Sequence, residues 1–228
     1  MKTPKFILSL VILTLSCSSD VNIDFPNNFP LGNNCLSGQG SIASETRILG
    51  EFHSIVSTIF ADILISQGPE EDVIVEAQQN ILNELKTEVV NGELRLTLNR
   101  CINIHQALKV YITIPEIRSL ALKGVGDIIA QNNFNLTNLN LTLTGVGNFI
   151  LQGTSTTLNI ISTGVGNVNA FALNSDVCDV KITGVGNIEV FVNDELNVTT
   201  SGSGSVFYKG NPSITSIITG TGGVVDAN

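Results

Sequence analysis

Through the second half of the chain, apolar and polar residues alternate with a period of two, and the alternation restarts about every twenty positions. Each restart is marked by Gly-x-Gly. The series runs Gly124-Val125-Gly126-Asp127, Gly145-Val146-Gly147-Asn148, Gly164-Val165-Gly166-Asn167 and Gly184-Val185-Gly186-Asn187, then two degenerate copies, Gly202-Ser203-Gly204 and Gly220-Thr221-Gly222. The first glycines lie 21, 19, 20, 18 and 18 residues apart. Six, four and two residues before them come Arg118/Leu120/Leu122, Leu139/Leu141/Leu143, Leu158/Ile160/Ser162, Cys178/Val180/Ile182, Leu196/Val198/Thr200 and Ile214/Ser216/Ile218. Four and six residues after them come Ile128/Ala130, Phe149/Leu151, Val168/Ala170, Ile188/Val190 and Val206/Tyr208. Alternation of this kind belongs to strands with one buried face.

Each repeat therefore predicts strand, tight corner, strand and a looser return. Two short strands cannot bury their apolar face alone, but equivalent strands stacked from coil to coil can. The expectation is an all-β, single-domain, right-handed parallel β-helix, with clear repeats from about residue 118. The glycines turn the chain without a Cβ penalty. Asp127, Asn148, Asn167 and Asn187 follow them at positions that tolerate turn geometry, and the three asparagines are expected to form an amide ladder. A dinucleotide fingerprint is excluded, because every copy lacks the third glycine and a following helix. Calcium-binding Gly-Asp repeats have a nine-residue period, which this chain does not.

Residues 42–117 keep strand character without the marker. Asn91-Gly92 between Thr87–Val90 and Glu93–Leu98 predicts a hairpin. Residues 79–86 allow a helical turn or two. These irregular N-terminal coils are expected to cap the stack. An uncovered last half-coil at the other end would expose strand edges, so a homo-oligomer is an open expectation.

The first residues change the picture from fold to address. Met1–Lys5 is basic and Phe6–Leu15 is an apolar run, too short to span a bilayer and shaped like a signal peptide over residues 1–16. Leu13-Thr14-Leu15-Ser16-Cys17 resembles a bacterial lipobox, with Cys17 the lipidated residue and Ser18 resembling lipoproteins sorted to an outer membrane. The alternative is an ordinary signal with an incidental cysteine. Residues 17–41 then read as lipidated cysteine and flexible tether, and residues 42–228 as the β-helix domain.

The whole chain carries 11 Lys and Arg against 20 Asp and Glu, a net charge of −9. Losing Lys2 and Lys5 with the signal leaves 9 − 20 = −11. That balance argues against nucleic acid and anionic lipid surfaces as partners and leaves the membrane reached through the lipid alone. Cys178 falls in an inward column and reads as a core thiol. Cys35 and Cys101 lie in polar segments and are candidates to pair, although sequence leaves the connectivity open.

The motifs Arg47-x-Leu49, Phe52-x-x-Ile55, Asp62-Ile63-x-Ile65-x-Gln67-Gly68, Val73-x-Val75-Glu76 and Val110-x-Ile112-x-Ile114-Pro115 resemble the bacterial head GIN domain proteins, labelled auto-transporter adhesins. So do the Gly-x-Gly series and the closing Tyr208-Lys209-Gly210-Asn211-Pro212. The resemblance spans residues 40–228. It implies a secreted or lipid-anchored β-helix of the cell envelope and brings no catalytic residues.

No catalytic constellation stands out. His53 and His105 have no nucleophile pattern beside them. Glu70-Glu71-Asp72 reads as a solvated corner rather than a metal site. No cofactor and no metal are expected. The apolar residues Ile129, Ile150, Ile161, Phe207 and Ile217 fall on outward positions and are candidates for a partner surface. The expected function is a non-enzymatic envelope lipoprotein that presents a binding or scaffolding surface to a glycan or protein. The alternative is a glycan-active enzyme with Glu51, Asp62, Arg95 and Arg100 in one groove.

Overall fold

A computed structural model of the chain describes residues 35–103 and 108–228. The expected signal, Cys17 and most of the expected tether lie outside the described residues, as does His105. The residues from Asn34 to Asn228 form one compact unit.

The first half supplies β1 (Leu36–Ser37), β2 (Ile42–Thr46), β3 (Ser54–Ser57), β4 (Asp62–Gln67), β5 (Asp72–Gln78), α1 (Gln79–Leu82), β6 (Leu85–Val90), β7 (Glu93–Leu98), β8 (Ile102–Asn103) and β9 (Lys109–Ile114). The second half supplies β10 (Ser119–Leu122), β11 (Ile128–Ala130), β12 (Phe134–Leu143), β13 (Phe149–Ser162), β14 (Val168–Ile182), β15 (Ile188–Thr200), β16 (Val206–Lys209), β17 (Ser213–Ile218) and β18 (Val224–Asp226). From β10 onward, each strand pairs in parallel with its copy one coil on, and the molecule is a β-solenoid.

On the side before each corner, the inward column Leu120, Leu141, Ile160, Val180 and Val198 is buried throughout. After the corner, Ile128, Phe149, Val168, Ile188 and Val206 form the facing column. Inward hydroxyls interrupt the first side: Ser57 and Thr200 have no side-chain hydrogen-bond partner. Cys178 is buried among these columns, and desolvation pushes its thiol up, with the neighbouring Asp179 adding to the shift.

Three sequence expectations need correction. The return is not a looser segment, because β13, β14 and β15 run as single bent strands of 14, 15 and 13 residues. Differences in coil length are absorbed there as bulges, between Ile150 and Gln152 against β14 and between Ala170 and Val177 against β15. Arg118 does not begin an inward set; it is exposed, and Ile117 is the buried residue. Residues 35–41 are part of the body rather than a tether. Cys35 is bonded to Cys101, β1 pairs with β8, and Asn80 donates its Nδ2 to the Ser37 carbonyl at 2.8 Å.

The coils do not stack in chain order. β3 and β4 form a coil without glycines, on which the first marked coil rests: Leu120 lies beside Ile55, and Ile128 beside Ile63. Beneath it come β7 and β9, which are later in sequence. β6 then lies antiparallel to β7 on one side, while on the other β5 lies antiparallel to β9 and β2 antiparallel to β5. Asn91 and Gly92, with φ of 53° and 75°, make the tight β6–β7 hairpin. α1 packs Ile81 and Leu82 into the cap core.

Candidate binding surface

The corner is shaped by close approach of successive backbones. A Cβ on Gly145 would run into the carbonyl oxygen of Gly124, and one on Gly147 into that of Gly126. Gly147 also has a φ of 146°, which L side chains rarely adopt. Between them, Val146 donates to Gly124 O at 2.9 Å, and Gly147 donates to Val165 O at 3.0 Å. The corner is thus hydrogen-bonded to the coils on both sides.

The residue between the glycines has one direction left for its side chain, outward. Phe60, Val125, Val146, Val165, Val185, Ser203 and Thr221 bridge in one parallel series. Val125, Val146, Val165 and Val185 are exposed by 36, 49, 51 and 52%. With Phe60 they make an apolar ridge roughly 19 Å long, at about 4.8 Å per coil. Sequence reasoning treated these positions as the variable letter of the motif and missed the ridge. The repeated valine, with no inward partner to fill, was the available signal.

An amide ladder runs beside the ridge. Asn148 donates its backbone N–H and its Nδ2 to Asp127 Oδ1, both at 2.8 Å. Asn167 does the same to Asn148 Oδ1 at 3.0 and 3.2 Å. Asn187 donates its backbone N–H to Asn167 Oδ1 at 2.9 Å, and Ser205 donates to Asn187 Oδ1 at 3.0 Å. At the other end, Asp127 donates its backbone N–H to Asp62 Oδ1 at 3.2 Å. The ladder gives each corner N–H an acceptor that the strands cannot supply. It extends to Asp62 and Ser205, beyond the residues that the motif predicts.

Across the ladder lies a second outward column. Its register reads Tyr111, Leu64, Ile129, Ile150, Asn169, Glu189, Phe207, Val225. Ile150 and Val225 are exposed, while Ile129 and Phe207 are half-buried. The predicted trio of Ile129, Ile150 and Phe207 therefore shares one column, but Asn169 and Glu189 separate Phe207 from the other two. Ile161 and Ile217 are exposed on a different outward column, before the corner. On the near flank of the ridge stand Thr144, Thr163 and Thr183, all exposed. Over these three coils, the strip from threonine through valine to asparagine carries no charged residue.

The four charges of the enzyme alternative are not brought together. Glu51 lines an open depression of about 770 Å³ at the cap, with Phe52, His53, Glu70, Glu71 and Arg118. Asp62 belongs to the ladder, and Arg95 is held by Glu93 at 2.8 Å on β7. Arg100 follows β7 in the connection toward β8. In the depression, Glu71 accepts the Phe52 N–H at 3.2 Å. The Arg118 guanidinium donates to both oxygens of Glu116, holding that carboxyl below its ordinary value. Among the described residues, no group of three or more His, Cys, Asp or Glu is placed to hold a metal ion.

Solved structures share this fold. A crystal structure described as a "putative adhesin" from Bacteroides fragilis NCTC 9343 superposes with a TM-score of 0.72 at 24% identity, covering 84% of this chain and all of the other. A second "putative adhesin", from Parabacteroides merdae ATCC 43184, gives 0.54 at 16% identity over 85% of this chain and 99% of the other. A "putative lipid binding protein" from Parabacteroides distasonis ATCC 8503 gives 0.52 at 20% identity with the same coverage. No curated protein matches the sequence. The profile of one family covers residues 51–212, from the cap to just past the Gly202-Ser203-Gly204 corner, and the chain belongs to that family, described as "Putative auto-transporter adhesin, head GIN domain".

Proposed function

We infer that the protein is a non-enzymatic, adhesin-like module of the cell envelope that binds a partner along the corner ridge. The observation that carries this reading is the uncharged strip of Thr144, Thr163 and Thr183, Val146, Val165 and Val185, and Asn148, Asn167 and Asn187 on a chain of net charge −9. Exposed apolar rows flanked by hydrogen-bonding rows suit a partner that is itself uncharged and amphipathic, such as a neutral glycan or a protein surface. The rigid coil spacing would present such a partner with a repeat of about 4.8 Å. The adhesin descriptions of the family and its structural relatives agree with this class of function.

Export and anchoring complete the proposal. The leader with Cys17 would carry the body outward and hold it by lipid at an outer membrane. Cys17→Ser should release the protein into the soluble fraction; continued membrane association would sink the anchor.

The binding reading is tested by a screen of neutral glycans and whole cells. The probe is wild-type protein against a variant with Val146→Lys, Val165→Lys and Val185→Lys. The expectation is at least a tenfold loss of binding at unchanged melting temperature. Full binding by the triple variant would remove the ridge from consideration. Turnover of a glycan, abolished by Glu71→Gln in the cap depression, would replace the non-enzymatic reading. Binding to lipid vesicles alone would do so for the choice of partner.

A further inference from the structure

The last described coil is bare. All six residues of β17 are exposed, and only β15 pairs with it. Its inward residues Ile214, Ser216 and Ile218 lie over Leu196, Val198 and Thr200. Those three are buried, whereas Ile214 and Ile218 are 41% and 40% exposed. Ser213–Ile218 contains no charge and no proline. A free, uncharged edge of this kind is a template for another strand.

We propose that a second copy of this chain seats on this end, with β17 pairing antiparallel to β17 of the partner about a two-fold axis through Ser216. The inward column reads the same from either end, Ile-Ser-Ile. Antiparallel pairing centred on Ser216 therefore puts Ile214 opposite Ile218 of the partner subunit and continues the core across the axis. Charge favours this contact over others. Each copy is net acidic, and β17 is a stretch where two copies can meet without opposing carboxylates. Asp226, on the neighbouring β18, already accepts the N–H and Nδ2 of Asn228 at 3.0 and 2.8 Å.

The other end does not offer the same contact. Its edge strands are β2 and β6, which carry Glu45, Lys86 and Glu88, so a copy seating there would meet charged side chains. The pairing therefore closes as a dimer rather than growing into a filament. The last full coil, from Gly202 to Gly220, is 18 residues long. At about 3.3 Å per residue its perimeter is about 60 Å, and a closed outline of that length encloses at most about 290 Å². That is well below the ~800 Å² per partner typical of stable complexes, so the dimer is expected to be weak and concentration-dependent. The inference is independent of what the corner ridge binds.

The test uses the compact body from Asn34 to Asn228, which contains the whole described core and its disulfide. Cys178 is buried and Cys35 is joined to Cys101, so an engineered surface thiol can be read cleanly. Directly opposed residues in an antiparallel pair are about 4.5–5.5 Å apart at Cα, within disulfide reach. Ser216→Cys should therefore cross-link to a covalent dimer on mild oxidation, while Thr163→Cys on the flank should not. In sedimentation equilibrium, Ile214→Glu with Ile218→Glu should raise the dimer dissociation constant at least tenfold. Absence of the Ser216→Cys cross-link overturns the proposal, as does equal cross-linking by both thiols. A wild-type body that stays monomeric, or grows beyond a dimer, overturns it too. Should the glutamate pair fail to fold, the cross-link still decides.

Discussion

At one end of the solenoid the outermost strands, β2 and β6, run antiparallel to their neighbours and carry charged side chains; at the other, the outermost described strand, β17, has six exposed, uncharged residues. The same inward column that is sealed at Leu94 by the cap is open at Ser216. The cap achieves its seal by leaving the repeat. After β1 and β2 the chain lays down its first coil as β3 and β4, runs outward through β5 and β6, and returns beneath that coil as β7 and β9 before the regular series begins. Parallel stacking leaves a next position to fill; the cap's outermost strands β2 and β6 still end the sheet, and the charged side chains they carry guard that edge.

That contrast can be broken most sharply at a corner glycine. Gly166→Ala would place a Cβ on the Gly147 carbonyl at a φ of 148°, in the middle of the stack. A loss of more than about 3 kcal/mol in urea unfolding is expected, since neither neighbouring backbone can yield. Gly222→Ala meets the Gly204 carbonyl at a φ of 132°, but at the open end. It should fray only the last half-coil and leave the main transition nearly in place.

A second comparison follows one column across the boundary. Leu196→Ala empties a fully buried site and should cost about 2–5 kcal/mol. Ile214→Ala, one coil on, should cost under about 1 kcal/mol in dilute monomer. Equal costs would mean that the end is covered in solution.

The disulfide sharpens the account of the cap. Cys35 and Cys101 close a separation of 66 residues and fasten β1 to β8. Replacing both by serine should lower stability by about 2–4 kcal/mol, with loss of amide-exchange protection confined to the cap.

The corner ladder sets a smaller scale. Asn167→Ala leaves the Asn187 N–H without its acceptor and should cost about 1–2 kcal/mol in thermal unfolding. Asn167→Asp keeps that acceptor but loses the Nδ2 donor to Asn148 Oδ1, so it should recover only part of the loss.

The smallest effect is expected at the open end under acid. Backbone and side-chain hydrogen bonds from Asn228 hold the Asp226 carboxyl below its ordinary value, and Tyr208 adds to them. Because the folded value is lowered, its contribution is present above the ordinary aspartate pKa of about 3.9 and fades as pH falls through the folded value. NMR signals of Tyr208 and Asn228 should shift in that window while those of the cap stay fixed.

The period of two, the Gly-x-Gly interval and the inward Leu, Ile and Val sets were enough to read the coils from β10 onward. Each of those residues has its physical role locally, within one strand or one corner. Asn91-Gly92 announced its hairpin for the same reason. The coil of β3 and β4 was not legible, because its corner, Ile59-Phe60-Ala61, holds side chains where later corners hold glycine. The cap strands below it are joined by a longer connection rather than another tight corner, so no constraint demanded the marker. The ridge was half legible: the valines repeat in plain view, but only the bridging of Phe60 to Val125 and Val146 shows that they form one exposed row.

The sequence by itself determined the strand content, the inward face of each repeated strand and the amides that stack at the corner. It did so because those features depend on residues within about twenty positions of one another. Only the tertiary structure decided which coil lies beneath which, that Cys35 meets Cys101, and that one end is sealed while the other is bare. These are long-range pairings, and alternation of apolar and polar residues specifies a face for each strand without naming the strand it will meet.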